Sequence, residues 1–163
     1  MPRPSAADWS LRRITAADEA FLRALYASTR EDEEPIKHWP KPHRDHFLAQ
    51  QYAAQTTHYA QAYAGAERSI VMLGKRPIGR LIVHLNGNDR RIVDISILSE
   101  FRGRGLGESI LRQTLATAEA AGQSVSLHVI EGNPAFRLYT RLGFTILRKV
   151  PPDRLLLEWR AAS

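Results

Sequence analysis

The chain opens on an alternation. Trp9 and Leu11 stand against Ser10 and Arg12, which predicts a short strand over residues 9–15. Asp18 then starts a different period: Phe21, Leu22, Leu25 and Tyr26 share one face of a helix over 19–30. An acidic stretch from Glu31 to Glu34 follows, and Pro35, Pro40 and Pro42 are expected to break regular structure. Leu48, Tyr52, Gln55 and Tyr59 recur at helical spacing and predict a long helix over 45–63 with one mixed face. Strands are predicted at 69–73, 78–85 and 91–98, separated by turns that contain Gly74 and Gly87.

Beyond residue 98 the pattern changes. A glycine-rich segment leads into a helix whose buried side carries Leu106, Ile110, Leu111, Leu115 and Ala118, and Gly122 ends it. Residues 124–130 read as a β-branched strand. Asn133 and Pro134 suit the start of a further helix, as a capping side chain and a first-turn proline, and Gly143 suits its end. Strands over 144–149 and 155–159 flank Pro151 and Pro152. The order predicts an α/β domain spanning 1–163 with a mixed sheet: hairpins first, then a strand–helix–strand crossover.

Composition narrows the chemistry. The chain has no cysteine, which excludes a disulfide framework, a thiolate metal site and a cysteine nucleophile, and fits a cytoplasmic location. Residues 1–8 lack the apolar stretch of a secretory signal, and no apolar run approaches the roughly 18 residues of a membrane helix. The net charge of +6 suits either nucleic acid or a small polyanion. The arginines are scattered and not interleaved with aromatic residues, so no nucleic acid partner is expected. His43 and His46 have no further ligands at sensible spacing, so no metal is expected.

The segment Arg102, Gly103, Arg104, Gly105, Leu106 and Gly107 carries the clearest chemistry. Glycines let a ligand approach the backbone, and the first N–H groups of a helix have no internal partner and favour an anion. A dinucleotide fingerprint would need glycine or alanine at position 108, which is Glu108, and a Walker loop is absent. Glu108 must turn away from a phosphate bound here.

These residues resemble the GNAT superfamily, the Gcn-five-related N-acetyltransferases. The six-residue segment looks like the family's pyrophosphate loop, Arg/Gln-x-x-Gly-x-Gly/Ala. Leu127 to Val129, Asn133 to Tyr139 and Arg141 to Phe144 look like the second half of its cofactor site. Ser99 stands where members often carry proline, while Glu100 and Phe101 keep the rest of that pattern. The resemblance implies a mixed central sheet with helices on both faces and a splayed parallel strand pair. It implies acetyl-CoA as co-substrate, bound by Arg102, Gly103, Arg104, Gly105, Leu106 and Gly107, with Ile97 and Leu98 presenting backbone to the pantetheine and Asn133 bonding it, capping the helix, or both.

The same resemblance implies N-acetyl transfer to a primary amine by direct attack in a ternary complex. The alternative is a non-catalytic, acetyl-CoA-binding or regulatory module. Tyr139 holds the position of a general-acid tyrosine, with ring packing as the other reading. Asp94 is the candidate base and an ion pair with an arginine its structural alternative; His128, a water chain or another carboxylate stay open. Glu31, Glu34 and Trp39 are candidates for binding a cationic acceptor, with a solvated turn as the alternative. A small-molecule or peptide amine is the expected partner, no membrane is, and a homodimer is left open.

Overall fold

The computed structural model describes residues 8–162, so the reading of the N-terminus as free of a signal segment falls largely outside the described residues. The elements are β1 (Trp9–Arg13), α1 (Glu19–Arg30), α2 (Lys41–Ala62), β2 (Glu67–Leu73), β3 (Arg76–Asn86), β4 (Asp89–Ile97), α3 (Leu106–Ala121), β5 (Ser124–Ile130), α4 (Ala135–Arg141), β6 (Thr145–Val150) and β7 (Arg154–Trp159). They form a seven-stranded sheet in the order β1-β2-β3-β4-β5-β7-β6. Every neighbouring pair is antiparallel except β4 and β5.

Helices cover both faces. On one, Leu22 and Tyr26 of α1 and Leu48 and Tyr52 of α2 pack over Ile70. On the other, Leu106, Ile110, Leu111 and Leu115 of α3 pack with Leu81, Ile92, Val125 and Leu127 in the larger core. The stripes predicted for α1 and α3 are therefore the faces that bury.

Most boundaries shift by a few residues from the sequence reading, and two of the shifts involve proline. Helix α2 begins at Lys41, with Pro42 inside its first turn. The missing N–H of a proline costs nothing there, so Pro42 helps start the helix it was expected to break. Strand β3 includes Pro77, opposite a register shift between Val71 and Met72, where the irregular ladder tolerates a residue without a donor.

One irregularity shapes the site. Along β3 and β4, Ile82 faces Asp94 but Val83 faces Ile92, so Val93 is the extra residue of a β-bulge. Strands β4 and β5 pair only from Asp89 to Ile92 against Ser124 to Leu127. Beyond that point β5 stays paired with β7, and β4 stays paired with β3. The two parallel strands thus open away from each other just where the bulge bends β4.

Candidate active site

The glycine-rich segment sits at the open end of this split. Gly103 and Gly105 take positive φ values of 74° and 78°, a region that L side chains enter only at a cost. Gly105 is the N-cap of α3, and the first helical bond of α3 runs from the Ser109 N–H to the Gly105 carbonyl. The N–H groups of Leu106, Gly107 and Glu108 precede that bond and are left for a ligand. The Leu106 side chain itself is buried, so that residue offers backbone only.

The two arginines of the loop play different parts. Arg102 Nε donates to the Ile97 carbonyl at 3.0 Å and ties the loop to the end of β4. The Arg104 guanidinium lies over the Phe101 ring, 5.2 Å from its centroid. Glu108 Oε1 is bound by Arg141 of α4 at 2.6 Å, and Arg112 stands 3.7 Å away. Its charge is thereby turned onto two guanidinium groups beside the loop.

A cavity of about 430 Å³ joins the loop to the split strands, with Ile95, Ile97, Gly103, Gly105, Gly107 and Tyr139 among its walls. A second, of about 250 Å³, fills the split; Val93, Asp94, Ile95, His128, Asn133 and Tyr139 line it. Ile95 and Tyr139 belong to both. A third, of about 570 Å³, opens on the α2 side and shares Ile92, Val93, His128 and Ile130 with the second. The three run in series from the glycine-rich loop through the sheet to its opposite face.

Backbone directions in the split follow from the ladder. The Leu98 N–H donates to Ile78 at 2.8 Å, and the Leu98 carbonyl accepts from Phe101 at 2.9 Å. Both its backbone groups are spent, which corrects the expectation that Leu98 faces a ligand. Direction alternates along an antiparallel strand, so Ile97 and Ile95 turn their backbone toward β5 and the split. The Ile97 carbonyl is taken by Arg102, leaving the Ile97 N–H and both groups of Ile95. Ile95 was missed in the sequence, although period two from Ile97 points to it.

Tyr139 packs its ring against Phe144 at 5.8 Å, and its hydroxyl has no hydrogen-bond partner among the described residues. Burial, and then the charge of Asp94, push its pKa up. The hydroxyl is thus a protonated donor over the ordinary pH range. Asn133 Oδ1 accepts from the Ala135 N–H at 2.9 Å, capping α4 while lining the split.

Asp94 is bound to an arginine. Arg80 Nε lies 2.8 Å from Asp94 Oδ2, and Ser96 Oγ donates to the same carboxylate. Arg80 also donates to Gln55 of α2 at 2.9 Å. Nothing in the spacing of Arg80 announced this pair; the β3–β4 register creates it. His128 points away from Leu127 and Val129, as alternation predicts, and lines the second and third cavities. Burial, and then Arg91, Arg154 and Arg148, lower its pKa.

The candidates for acceptor binding lie elsewhere. Glu34 pairs with Lys37 and His38, and Glu31 is exposed. Trp39 packs edge-on against Phe47 and His43. None of the three lines the connected cavities.

The model of the acetyltransferase (GNAT) family matches residues 20–144, from α1 to the end of the segment after α4. The chain belongs to this family. No curated protein sequence matches it. Solved structures share its GNAT fold at low identity. PaiA N-acetyltransferase from Thermoplasma acidophilum, in complex with coenzyme A, has a TM-score of 0.70 at 12% identity, covering 94% of this chain and 99% of that one. A histone acetyltransferase HPA2-related acetyltransferase from Corynebacterium glutamicum gives 0.68 at 18%, covering 96% and 98%. The ribosomal-protein-S18-alanine N-acetyltransferase of Escherichia coli gives 0.64 at 15%, covering 93% of each chain. The split between β4 and β5 is thus the GNAT strand pair, and the sheet has helices on both faces, as the resemblance implied.

Proposed function

We propose that this GNAT protein transfers the acetyl group of acetyl-CoA to a primary amine by direct attack in a ternary complex. The observation that carries the reading is the series of three cavities, which gives the two substrates separate entrances meeting at Ile95 and Tyr139. The residues fit acetyl-CoA. Gly103, Gly105 and Gly107 with the free N–H groups of α3 suit the pyrophosphate, and the vacant backbone of Ile95 and Ile97 suits the amides of pantetheine. Arg102 acts chiefly by bracing the loop, and Arg104 supplies charge at its rim.

The residues then divide the work. Asp94 draws the ammonium into the split and takes its proton; its Oδ1 accepts only from Ser96 and so keeps capacity for another donor. The free amine attacks the thioester carbonyl, forming the C–N bond. The Ile97 N–H donates to the oxyanion that develops, and a donor so placed is typically worth about 100- to 1000-fold in rate. The C–S bond breaks, Tyr139 gives its proton to the leaving thiolate, and the proton that the nitrogen sheds as the amide forms passes through solvent to restore the Tyr139 hydroxyl. The absence of cysteine rules out a cysteine acyl-enzyme and favours this direct route.

His128 is poorly suited to be the base. Arg91 Nη1 lies 3.5 Å from Nδ1, and an arginine can only donate. Nδ1 is therefore the acceptor, and the neutral ring carries its proton on Nε2.

The test is release of free coenzyme A from acetyl-CoA with a panel of amines, alongside calorimetric binding. Amine-dependent release is expected. Tight binding with no release on any amine, peptide or lysate protein points to a non-catalytic module; absence of binding overturns the reading altogether.

A further inference from the structure

We propose that the acceptor is an amine that also carries an oxyanion, a carboxylate or a phosphate, held by Arg91 and Arg154 with the His128 ring on the α2 side of the split strands. The inference rests on the acetyltransferase reading above and adds the chemical class of its acceptor.

The third cavity is walled by Arg30, Arg91 and Arg154, by His58 and His128, and by no aspartate or glutamate. Its volume of about 570 Å³ suits a small molecule. Arg30 is neutralised by Glu33 at 2.8 Å. The other two arginines have no direct ion pair among the described residues; the Asp89 carboxylate is taken by the Ser124 and Ser126 hydroxyls and meets Arg91 only through Ser126. Arg91 Nε donates to Ser126 Oγ at 2.7 Å, and its remaining contact is with the His128 ring; neither partner is an anion. Arg154 is exposed and has no ion pair among the described residues.

The strand register gathers these groups. Arg91 faces Ser126 across the paired part of β4 and β5, His128 lies two residues further along β5, and Arg154 sits opposite Ile130 on β7. Ser126, His128 and Ile130 share one face of β5, so Arg91 and Arg154 stand on either side of His128 on that face. The lowered pKa of His128 has both arginines among its causes after burial, as a locally uncompensated positive field requires. With Nδ1 turned to Arg91, the Nε2–H of His128 adds a neutral donor. Two guanidinium groups and one imidazole N–H form a donor set for an oxyanion.

The position relative to the thioester completes the argument. Asp94 lines the split, while Arg91 and Arg154 line only the outer cavity beyond it. One molecule crossing Ile92 and Val93 would meet a carboxylate at its amine end and two arginines at its other end. A polyamine would instead bring positive charge against Arg91 and Arg154. The acidic stretch with Glu31 and Glu34, the expected site for a cation, lines none of this path.

The experiment uses matched acceptors in the coenzyme A release assay: amino acids against their carboxamides, aminoalkyl phosphates against the corresponding amino alcohols, and spermidine. At least one charged member is expected to exceed its neutral partner in kcat/KM by about tenfold or more, the size of one charge-assisted hydrogen bond. The amino acid and aminoalkyl phosphate arms distinguish carboxylate from phosphate. Arg154→Gln is expected to reduce that preference about tenfold. Equal rates within every pair, a preference for spermidine, or a preference that Arg154→Gln leaves intact overturns the inference while acetyl transfer stands.

A second measurement needs no turnover. The imidazole of His128 is titrated by NMR in the coenzyme A-bound protein, with succinate, inorganic phosphate, or chloride at matched ionic strength. Succinate or phosphate is expected to raise the His128 pKa by cancelling the positive field, and Arg154→Gln to remove the rise. A His128 titration that neither oxyanion moves overturns the oxyanion site. Failure to bind coenzyme A counts against the acetyltransferase reading instead, and the oxyanion arms are then read on the free protein.

Discussion

Replacing Gly107 with alanine or valine separates the fold from the phosphate site. Gly107 is the second residue of α3, its φ is not positive, and a Cβ built there meets nothing within 4 Å. Gly105 is less useful, because its φ of 78° adds about 1–2 kcal/mol of backbone strain to any substitution. At position 107, alanine removes the entropy penalty of glycine and should stabilise the protein by about 0.5–1 kcal/mol, raising Tm by about 1–4 °C. Valine is only slightly better than glycine in a helix, so its Tm should stay within about 2 °C of the parent. Binding should respond differently. A helical Cβ leans toward the N-terminus, here toward the cavity beside Gly103 and Gly105. The family motif accommodates alanine at this position, so Gly107→Ala should bind acetyl-CoA within a few-fold of the parent. The two methyl groups of valine should displace the phosphate from one or more N–H donors, each such bond to a charged group being worth about 1.5–3 kcal/mol. That loss corresponds to about 10- to 150-fold in Kd. Calorimetric titration with acetyl-CoA and thermal melts of the three proteins give both quantities. A Gly107→Val protein with parental Tm and parental affinity would refute the phosphate assignment of this loop.

Tyr139→Phe should lower kcat about 100-fold while weakening acetyl-CoA by less than about tenfold, as expected for a general acid and not a packing ring; equal losses in both would remove its proposed role. Because burial raises the Tyr139 pKa, the parent enzyme should show no loss of kcat from this group on the alkaline side below about pH 10. Asp18, buried and bonded by Arg12 at 2.8 Å, is held at about 2 instead of its usual 3.8, first by that side-chain bond and then by the Thr15 N–H. A lowered carboxylate pKa contributes stability in full above 3.8 and loses it as pH falls through about 2. Asp18→Asn should therefore melt below the parent at pH 7, with the gap closing over that acid range; a gap independent of pH in thermal melts would contradict the linkage.

Much of the site was legible before any tertiary structure. The glycines at 103, 105 and 107 declared a tight turn into a helix because only a short list of backbone geometries needs them. Asn133 and Gly143 declared the ends of α4, since capping is decided by neighbours along the chain. Pro42 was misread because the same residue breaks a helix interior and begins a helix first turn, and the local pattern did not say which. Ile97 and Leu98 were named together, but only Ile97 turns its backbone toward the split, because the partner of each N–H depends on register with β3. The acidic stretch drew attention as the one cluster of its sign in a basic chain. Charge along the chain does not report which charges share a cavity.

Local patterning thus determined the elements, the glycine turn and the family to which they belong. What only the tertiary structure decided are the pairings between distant segments: the Val93 bulge that opens β4 from β5, the Arg80–Asp94 pair, Glu108 turned onto Arg141, and Arg91 and Arg154 flanking His128. Helix caps, glycine turns and amphipathic stripes depend on residues a few positions apart. Strand register is settled by packing over the whole sheet, and a one-residue slip would send each of those side chains to the other face.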